Sequence, residues 1–457
     1  MYQPPTLDRR TLLQMGYSSF FGLSLPGVMN CRADDGISIS PRAQSVVLVF
    51  LTGGGSHIDM FDPKPEVSEV KGEFSPIDTQ LSGVQFTEMM PGLSQRANQL
   101  AIVRSMAHRD NRHLSASHNA LTGSIQAFRG NSNQDKSLNR ADWPSYGSAL
   151  GYFRPMANGL PSQFTVPNPL IEGNLVWPGQ HAGFLGPRCD PFQVKEDPNK
   201  KDFKVNVLKL LEGLIFERLD DRLELLQTLN DHRHALDASA KGQQFSNQQQ
   251  SAYSMLTSAK LSRAFHLHKE TDKDRERYGR NTLGQTLLLA RRLVEIEVPV
   301  VQCNMGRVQT WDTHVDHFPR VKKLIPQVDQ GVSALLDDLA ERGLLETTMV
   351  IVVGEFGRTP TISPLPGAKV PGRHHWAWGY TAVFAGGGVR GGQVIGKTDR
   401  IGGRPVTRPF HPNDMGATIY QSLGIEPSTE ILDRLKRPRR LCQGQVMNVL
   451  YDGSSVS

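Results

Sequence analysis

Side chains that bind metal ions are concentrated in a few short segments of this sequence, and the densest is WDTHVDH, from Trp311 to His317. Carboxylate and imidazole groups are common ligands of divalent cations. Asp312 and His314 are two residues apart and can therefore face one ion, and His317 offers a further imidazole. The segment predicts a metal site, with a solvated polar loop as the alternative.

A glycine-rich segment, TGGGSHIDMFD, begins at Thr52. It has neither the GK[ST] of a phosphate-binding loop nor a GxGxxG pattern, so it does not favour nucleotide binding. Its glycines allow the backbone to approach a metal ion or an anion closely. We expect His57 and Asp59 to supply ligands there, the alternative for His57 being a tight turn in which the imidazole has no role.

Two further segments, GEFGRTP and GRHHW, also carry ligand-type side chains. Glu355 is interpreted either as a metal ligand or as the partner of Arg358. The adjacent His374 and His375 cannot easily bind the same ion. One of them, with His375 preferred, is therefore expected to be a ligand, while the other packs or contacts a substrate.

The segment HRDNRHLSASH, from His108 to His118, is dense in histidine, arginine and serine. Such a segment can supply a nucleophile, with Ser115 and Ser117 as candidates, and cations that bind an anion, such as Arg112. A hydrophilic loop without a catalytic role is the alternative.

These segments adjoin apolar runs that predict buried strands. The runs are short, rich in β-branched residues and bounded by glycine or polar segments, as in parallel sheets that are covered on both faces. They comprise Ser45–Leu51, Val298–Cys303, Met349–Val353 and Thr381–Phe384. Apolar residues at helical spacing predict a helix over Val328–Arg342. The alternation predicts an α/β fold, in which loops at the carboxyl ends of the strands gather ligands.

Length and composition narrow the class of protein. The chain has 457 residues, of which 38% are hydrophobic and 21% charged, with a net charge of +6. These values indicate a globular protein that is long enough for one large α/β domain or two ordinary ones, and nucleic acid is not an expected partner because the excess charge is small for this length. A helical insertion is predicted over about 203–295 and long ordered loops over about 130–200. The four cysteines are too far apart for a metal or redox motif, so we expect buried thiols with at most one or two disulfides.

Residues 1–44 are predicted to be an export signal and linker. Arg9 and Arg10 precede a stretch, Thr11–Asn30, that contains no charged residue, as in a twin-arginine signal. The apolar part of this stretch is interrupted by glycine and proline and is too short to span a bilayer. We therefore expect an exported protein, periplasmic or extracellular, without a stable membrane span.

Taken together, the motifs resemble those of the DUF1501 family, of the type known from planctomycetes, which is related to alkaline phosphatases and sulfatases. The resemblance rests on the paired arginines and on GGGSHIDMFDPKP, WDTH, GEFGRTP, GRHHW and AGGGVRGG. It implies one alkaline-phosphatase-like α/β domain over residues 45–457, a three-layer sandwich with a mostly parallel central sheet between helices. It also implies one or two divalent metal ions at the strand ends, and zinc, calcium and magnesium all remain open.

The chain departs from the pattern of that superfamily at three places. Thr52 stands where phosphatases and sulfatases usually carry a metal-binding aspartate, and Glu355-Phe356 replaces an Asp-His pair. The C-x-P-S-R motif of formylglycine sulfatases is absent, and alignment on a downstream Thr-Gly pair places His113 at the nucleophile position. Formylglycine chemistry is therefore not expected, while His113, a serine hydroxyl and a metal-bound water remain open as the nucleophile.

The resemblance implies an exported metal-dependent hydrolase of phosphate or sulfate esters. The expected metal ligands are Asp312, His314, Glu355 and His375, with His57 and Asp59 in the same cleft. Arg358 or Arg112 is expected to stabilise the ester oxygens, and the expected partner is a sulfated or phosphorylated small molecule or glycan. The alternative is a non-catalytic relative that binds a glycan or a protein partner at the cell surface.

Overall fold

The computed structural model describes residues 39–125, 140–156, 159–205, 254–256 and 258–454. Residues 1–38 of the predicted export signal and linker lie outside these residues, as do residues 206–253 of the predicted helical insertion. None of the described helices combines the length and the apolar character needed to cross a membrane. The described cysteines Cys189, Cys303 and Cys442 are free thiols, and Cys31 lies outside the described residues.

The strands are numbered here in chain order. They are β1 (Ser45–Phe50), β2 (Pro76–Asp78), β3 (Gln85–Thr87), β4 (Ala101–Met106), β5 (Gln163–Val166), β6 (Ile171–Glu172), β7 (Leu175–Val176), β8 (Phe192–Gln193), β9 (Val300–Asn304), β10 (Thr348–Val353), β11 (Gly357–Arg358), β12 (His375–Trp376), β13 (Tyr380–Ala385), β14 (Gln393–Ile395), β15 (Glu430–Leu432) and β16 (Pro438–Arg440). The four strands predicted from apolar runs correspond to β1, β9, β10 and β13, and all four predictions are confirmed.

Eight of these strands form the central sheet, in the order β14-β4-β13-β10-β1-β9-β5-β8. The pairings of β1 with β9 and with β10 are parallel. Strand β13 is antiparallel to both of its neighbours, β10 and β4, so it runs against the rest of the sheet. The predicted mostly parallel α/β fold is confirmed.

The α-helices of the described residues form layers on the two faces of the sheet. They span Pro91–Ser94, His113–Thr122, Tyr146–Phe153, Ala259–Phe265, Asp272–Tyr278, Thr282–Glu295, His317–Glu341, Pro412–Ser422 and Val449–Asp452. Short 3₁₀ helices lie at Ala97–Gln99, Gly183–Leu185, Pro187–Cys189, Leu267–Lys269 and Leu345–Thr347. The predicted helix over Val328–Arg342 is the second half of His317–Glu341.

The side chains of β1 point alternately to the two faces of the sheet, as successive side chains of any strand do. This alternation explains why the sheet has a layer on each face. Val47 and Val49 belong to the hydrophobic core that includes the helices Thr282–Glu295 and His317–Glu341. Val46, Leu48 and Phe50 belong to the core on the other face, with the helices His113–Thr122 and Pro412–Ser422. The sheet is thus covered on both sides, as a continuous apolar strand requires.

One expectation about connections is wrong. Residues 130–200 were expected to be long loops, yet their described part contains the helix Tyr146–Phe153 and the sheet strands β5 and β8. The strands are only four and two residues long, and their pairing with β9 and with each other holds them in place. Pairing across the sheet, rather than local composition, therefore decides their conformation.

The topology brings the ligand-bearing segments to one edge of the sheet. Strands β1, β4, β9 and β10 run in the same direction, so the segments that follow them emerge at that edge. Because β13 runs in the opposite direction, the segment that precedes it, which contains β12, reaches the same edge. The short antiparallel ribbon of β11 and β12 then pairs Arg358 with His375.

Two glycines allow these loops to approach one another. Gly53 and Gly54 have φ angles of 108° and 85°, in the region that favours glycine. A Cβ atom at Gly53 would lie 2.7 Å from the backbone nitrogen of Asp312, and one at Gly54 would lie 2.7 Å from the carbonyl oxygen of Phe356. The glycines were expected to admit a metal or an anion, but here they admit the neighbouring backbone.

Candidate metal centre

Asp312 lies at the centre of a cluster of histidines. Its Oδ1 atom is 3.1 Å from Nε2 of His314 and 3.1 Å from Nε2 of His375. The two histidine nitrogens are 3.0 Å apart, so the three atoms form a nearly equilateral triangle. Ligands of a tetrahedral ion with bonds of about 2.0–2.1 Å are separated by about 3.3 Å. The triangle is therefore close to the size that such an ion needs.

The hydrogen bond of His375 fixes which of its nitrogens carries a proton. Nδ1 lies 2.7 Å from the carbonyl oxygen of Asn111, and a carbonyl can only accept, so Nδ1 donates. Burial lowers the pKa of His375, which favours the neutral ring. Its Nε2 then presents a lone pair to the Asp312 carboxylate, and a cation between these two acceptors would remove the repulsion.

His314 is held by a second chain of contacts that leads away from the triangle. Its Nδ1 is 2.8 Å from Nδ1 of His374, whose Nε2 is 3.0 Å from Oγ of Ser363. The rings of His314 and His374 are stacked, with centroids 5.1 Å apart. If Nδ1 of His314 donates to His374, Nε2 of His314 also presents a lone pair to the triangle.

His113 bridges two carboxylates behind the triangle. Its Nδ1 is 2.8 Å from Oε1 of Glu355, and its Nε2 is 3.3 Å from Oδ2 of Asp312. Burial favours the neutral ring, but the hydrogen bonds and charges of Asp312 and Glu355 outweigh it and raise the pKa of His113 to about 9. The ring is therefore an imidazolium with a proton on each nitrogen, and it has no lone pair with which to attack an ester.

Arg358 fixes the Asp312 carboxylate from the protein interior. One of its terminal nitrogens is 2.5 Å from Oδ1 of Asp312, and its Nε donates to the carbonyl oxygen of Gly54 at 3.0 Å. The side chain is 0% exposed. Glu355 is equally buried and accepts a hydrogen bond of 3.0 Å from the backbone N–H of Gly53. Arg358 and Glu355 thus connect the glycine loop to the cluster.

The family of the chain is shown by a family model, described as "Protein of unknown function (DUF1501)", that matches residues 43–450. The chain belongs to the DUF1501 family. No curated protein matches this DUF1501 protein significantly in sequence.

Solved structures to which the DUF1501 protein is similar include a sulfatase from Pseudoalteromonas sp. and a phosphonate monoester hydrolase from Silicibacter pomeroyi. The sulfatase has a TM-score of 0.40 and 12% identity, over 84% of this chain and 68% of that chain. The phosphonate monoester hydrolase has a TM-score of 0.39 and 10% identity, over 90% of this chain and 76% of that chain.

The structure places the candidate ligands His57 and Asp59 of the DUF1501 protein among other partners. Asp59 is 2.7 Å from Nε of Arg373 and 2.9 Å from Nε2 of His317. Burial opposes ionisation, but these two partners hold the pKa of Asp59 well below its usual range. His57 directs Nε2 to the carbonyl oxygen of Gly402 at 2.7 Å. In the described part of the chain, neither side chain forms a hydrogen bond or ion pair with Asp312.

The two candidate serines lie on the helix His113–Thr122 and are both buried. The hydroxyl of Ser115 lies near the carboxylate of Asp110 and helps to lower the pKa of that group. The hydroxyl of Ser117 has no hydrogen-bond partner among the described residues, and neither hydroxyl is hydrogen-bonded to the triangle. Arg112 is paired with Asp110 at 2.7 Å.

In the described part of the chain, two members of the triangle, Asp312 and His375, also form a group of ligand-type side chains with His113. Their ligand atoms lie within 4.8 Å of one another. Sequence reasoning missed Asn111, which orients His375 through a backbone carbonyl. Such a contact leaves no side-chain signal in the sequence.

Proposed function

We propose that this DUF1501 protein is an exported, metal-dependent hydrolase of phosphate or sulfate esters. The observation that carries the proposal is the triangle formed by Asp312 Oδ1, His314 Nε2 and His375 Nε2, in which His375 turns a lone pair toward two other acceptors. These residues would hold a divalent cation, which supplies Lewis-acid polarisation of an ester oxygen. Two imidazoles and a carboxylate favour zinc, since calcium and magnesium prefer oxygen ligands.

The other residues of the site then act as positioning groups. Arg358 holds Asp312 in one orientation, and His113 keeps its two protons directed at Asp312 and Glu355. Because His113 has no free lone pair and neither Ser115 nor Ser117 contacts the triangle, we infer that water, rather than a side chain, attacks the ester. A water mechanism needs a positioned ion and an anion-binding surface but no covalent intermediate.

One observation favours the alternative, a non-catalytic binding protein at the cell surface. Arg358 was expected to stabilise the ester oxygens, but it is fully buried and bound to Asp312 and to backbone carbonyls. In catalysis, the ion alone would then have to neutralise the negative charge of the ester oxygens. If that charge is not enough, the same centre would bind an anionic group, such as a sulfated or phosphorylated glycan, without cleaving it.

Metal content and turnover separate the two functions. The purified protein would be dialysed against zinc, magnesium or calcium, its bound metal measured, and its activity tested on nitrophenyl phosphate, bis-nitrophenyl phosphate and nitrophenyl sulfate. We expect one tightly bound zinc and hydrolysis of at least one ester, both lost in Asp312→Asn. The conservative Ser115→Ala and Ser117→Ala should retain turnover if water attacks. Bound zinc without hydrolysis of any ester would favour the binding protein.

The proposal that the protein is exported rests only on the leader sequence, residues 1–44. A reporter that folds in the cytoplasm, fused behind residues 1–45, should leave that compartment. Changing Arg9 and Arg10 to lysine should stop its export. Retention of the reporter behind the unchanged leader would contradict the proposal.

A further inference from the structure

The hairpin formed by β15 and β16 is rich in cationic side chains. Its residues 430–440 read EILDRLKRPRR, with five cationic and two acidic side chains. The hairpin therefore has a net charge of +3, half of the +6 of the whole chain, in 11 of 457 residues. The hairpin therefore contributes a local excess of positive charge to the protein surface.

The tip of the hairpin is held rigidly by Asp433. Its Oδ1 accepts hydrogen bonds from the backbone N–H groups of Leu435 at 2.9 Å and Arg437 at 3.0 Å. The N–H of Lys436 donates to the carbonyl oxygen of Asp433 at 2.8 Å. Ile431 is 1% exposed and anchors the base of the hairpin in the core. The conformation of the tip is therefore fixed before anything binds to it.

This rigid tip holds apolar side chains out into solvent. Leu435 is 71% exposed, the highest value for a large hydrophobic residue in the described part of the chain, and Leu432 is 47% exposed. Pro438, which pairs with Leu432 across the hairpin, is also exposed. Two cations flank Leu435 directly, Arg434 and Lys436, and neither forms a salt bridge with another described residue.

We propose that this hairpin docks the protein onto a membrane surface that contains anionic phospholipid. Leu435 would enter the interfacial region while Arg434 and Lys436 contact lipid phosphates, the arrangement of apolar and cationic groups that interfacial segments use. A soluble polyanion would attract the cations equally but would gain nothing from an apolar side chain at the tip. The exposed Leu435 therefore favours the lipid surface. The proposal is independent of the metal centre and of the proposed hydrolase.

The test is co-sedimentation of the purified full chain with vesicles. Vesicles of phosphatidylcholine with phosphatidylglycerol should bind the protein, and vesicles of phosphatidylcholine alone should bind it much more weakly. Leu435→Ser should lower the partition coefficient about ten-fold, the order expected for one buried leucine side chain. Arg434→Gln and Lys436→Gln should each lower it about five-fold, and added salt should weaken binding of the parent protein.

Val406→Ser is the matched control, because Val406 is 61% exposed but lies outside the hairpin, and we expect it to bind like the parent. Circular dichroism of each variant would show that folding is unchanged. Three outcomes would overturn the proposal: no binding to anionic vesicles, equal binding to neutral vesicles, or binding that depends on Arg434 and Lys436 but not on Leu435. The last result, together with binding to dextran sulfate, would instead identify a surface for soluble polyanions.

Discussion

The assignment of Arg358 as a positioning residue leads to a sharp prediction for Arg358→Met. The substitution removes the guanidinium that lies 2.5 Å from Asp312 and bonds to the glycine loop, while keeping most of the apolar stem. The carboxylate of Asp312, 13% exposed, would lose its closest cation. The stability of the metal-free protein and its affinity for metal should therefore both fall.

The expected size follows from the environment of the pair. Removing one partner of a buried ion pair costs about 3–5 kcal/mol. Asp312 retains contacts to three imidazoles, so we expect the lower end, about 3 kcal/mol less free energy of unfolding. Because groups that orient a metal ligand change affinity by about 10–100-fold, zinc binding should weaken by a factor in that range.

Urea unfolding in the presence of a chelator would give the stability, and competition with a zinc indicator would give the affinity. Arg112→Met is the matched control, since Arg112 pairs with Asp110 near the surface, where an ion pair is worth about 1 kcal/mol or less. If Arg358→Met kept the stability and zinc affinity of the parent but lost turnover, Arg358 would have to contact the substrate, and our reasoning would be wrong.

Three further predictions concern the histidines. His375→Ala should abolish stoichiometric zinc binding while His57→Ala preserves it, as measured on dialysed protein; equal losses would place His57 in the centre. His374→Ala should weaken zinc binding about 10–100-fold. His374→Asn should recover most of the affinity, because the asparagine oxygen can replace Nδ1 as the acceptor for His314. Equal zinc affinities of the two variants would show that His374 does not orient His314. The pKa of His113 is raised from 6.5 to about 9, so the stability that it contributes is complete below pH 6.5 and is lost as the pH rises through 9. The free energy of unfolding of the metal-free protein should therefore fall by about 3 kcal/mol across this window. His113→Gln should make the free energy of unfolding depend less on pH.

The strands that the sequence predicts share one property, a continuous apolar run. Strands β1 and β10 are buried along their whole length, so each residue carries the signal. Strands β5 and β8 are short and lie in a segment rich in proline, asparagine and glycine, so no period could reveal them. The reversed direction of β13 is also absent from the sequence, because direction depends on pairing across the sheet and not on local pattern.

In the candidate site, too, some features follow from the local sequence and others depend on residues far along the chain. Residue type and spacing singled out Asp312, His314 and His375, and the structure places their ligand atoms within 3.1 Å of one another. The same reasoning selected Asp59, because its loop also follows a strand. The carboxylate of Asp59 instead pairs with Arg373, which lies 314 residues further along the chain. No local pattern distinguishes an aspartate that binds a metal from one that neutralises a buried arginine.

The charges of the cluster bear on which ligand it can accept. Two carboxylates, on Asp312 and Glu355, face two cations, Arg358 and the His113 imidazolium. The protein groups therefore already balance one another, and the imidazole rings of His314 and His375 add no negative charge. The charge of a divalent cation held at the triangle would remain largely uncompensated by the protein. An anionic ester, unlike a neutral one, would supply the missing negative charge, and in a partly buried site such pairing is stronger than in water. The balance of charges thus favours phosphate and sulfate esters over neutral esters, even though no arginine of the cluster is exposed to hold them.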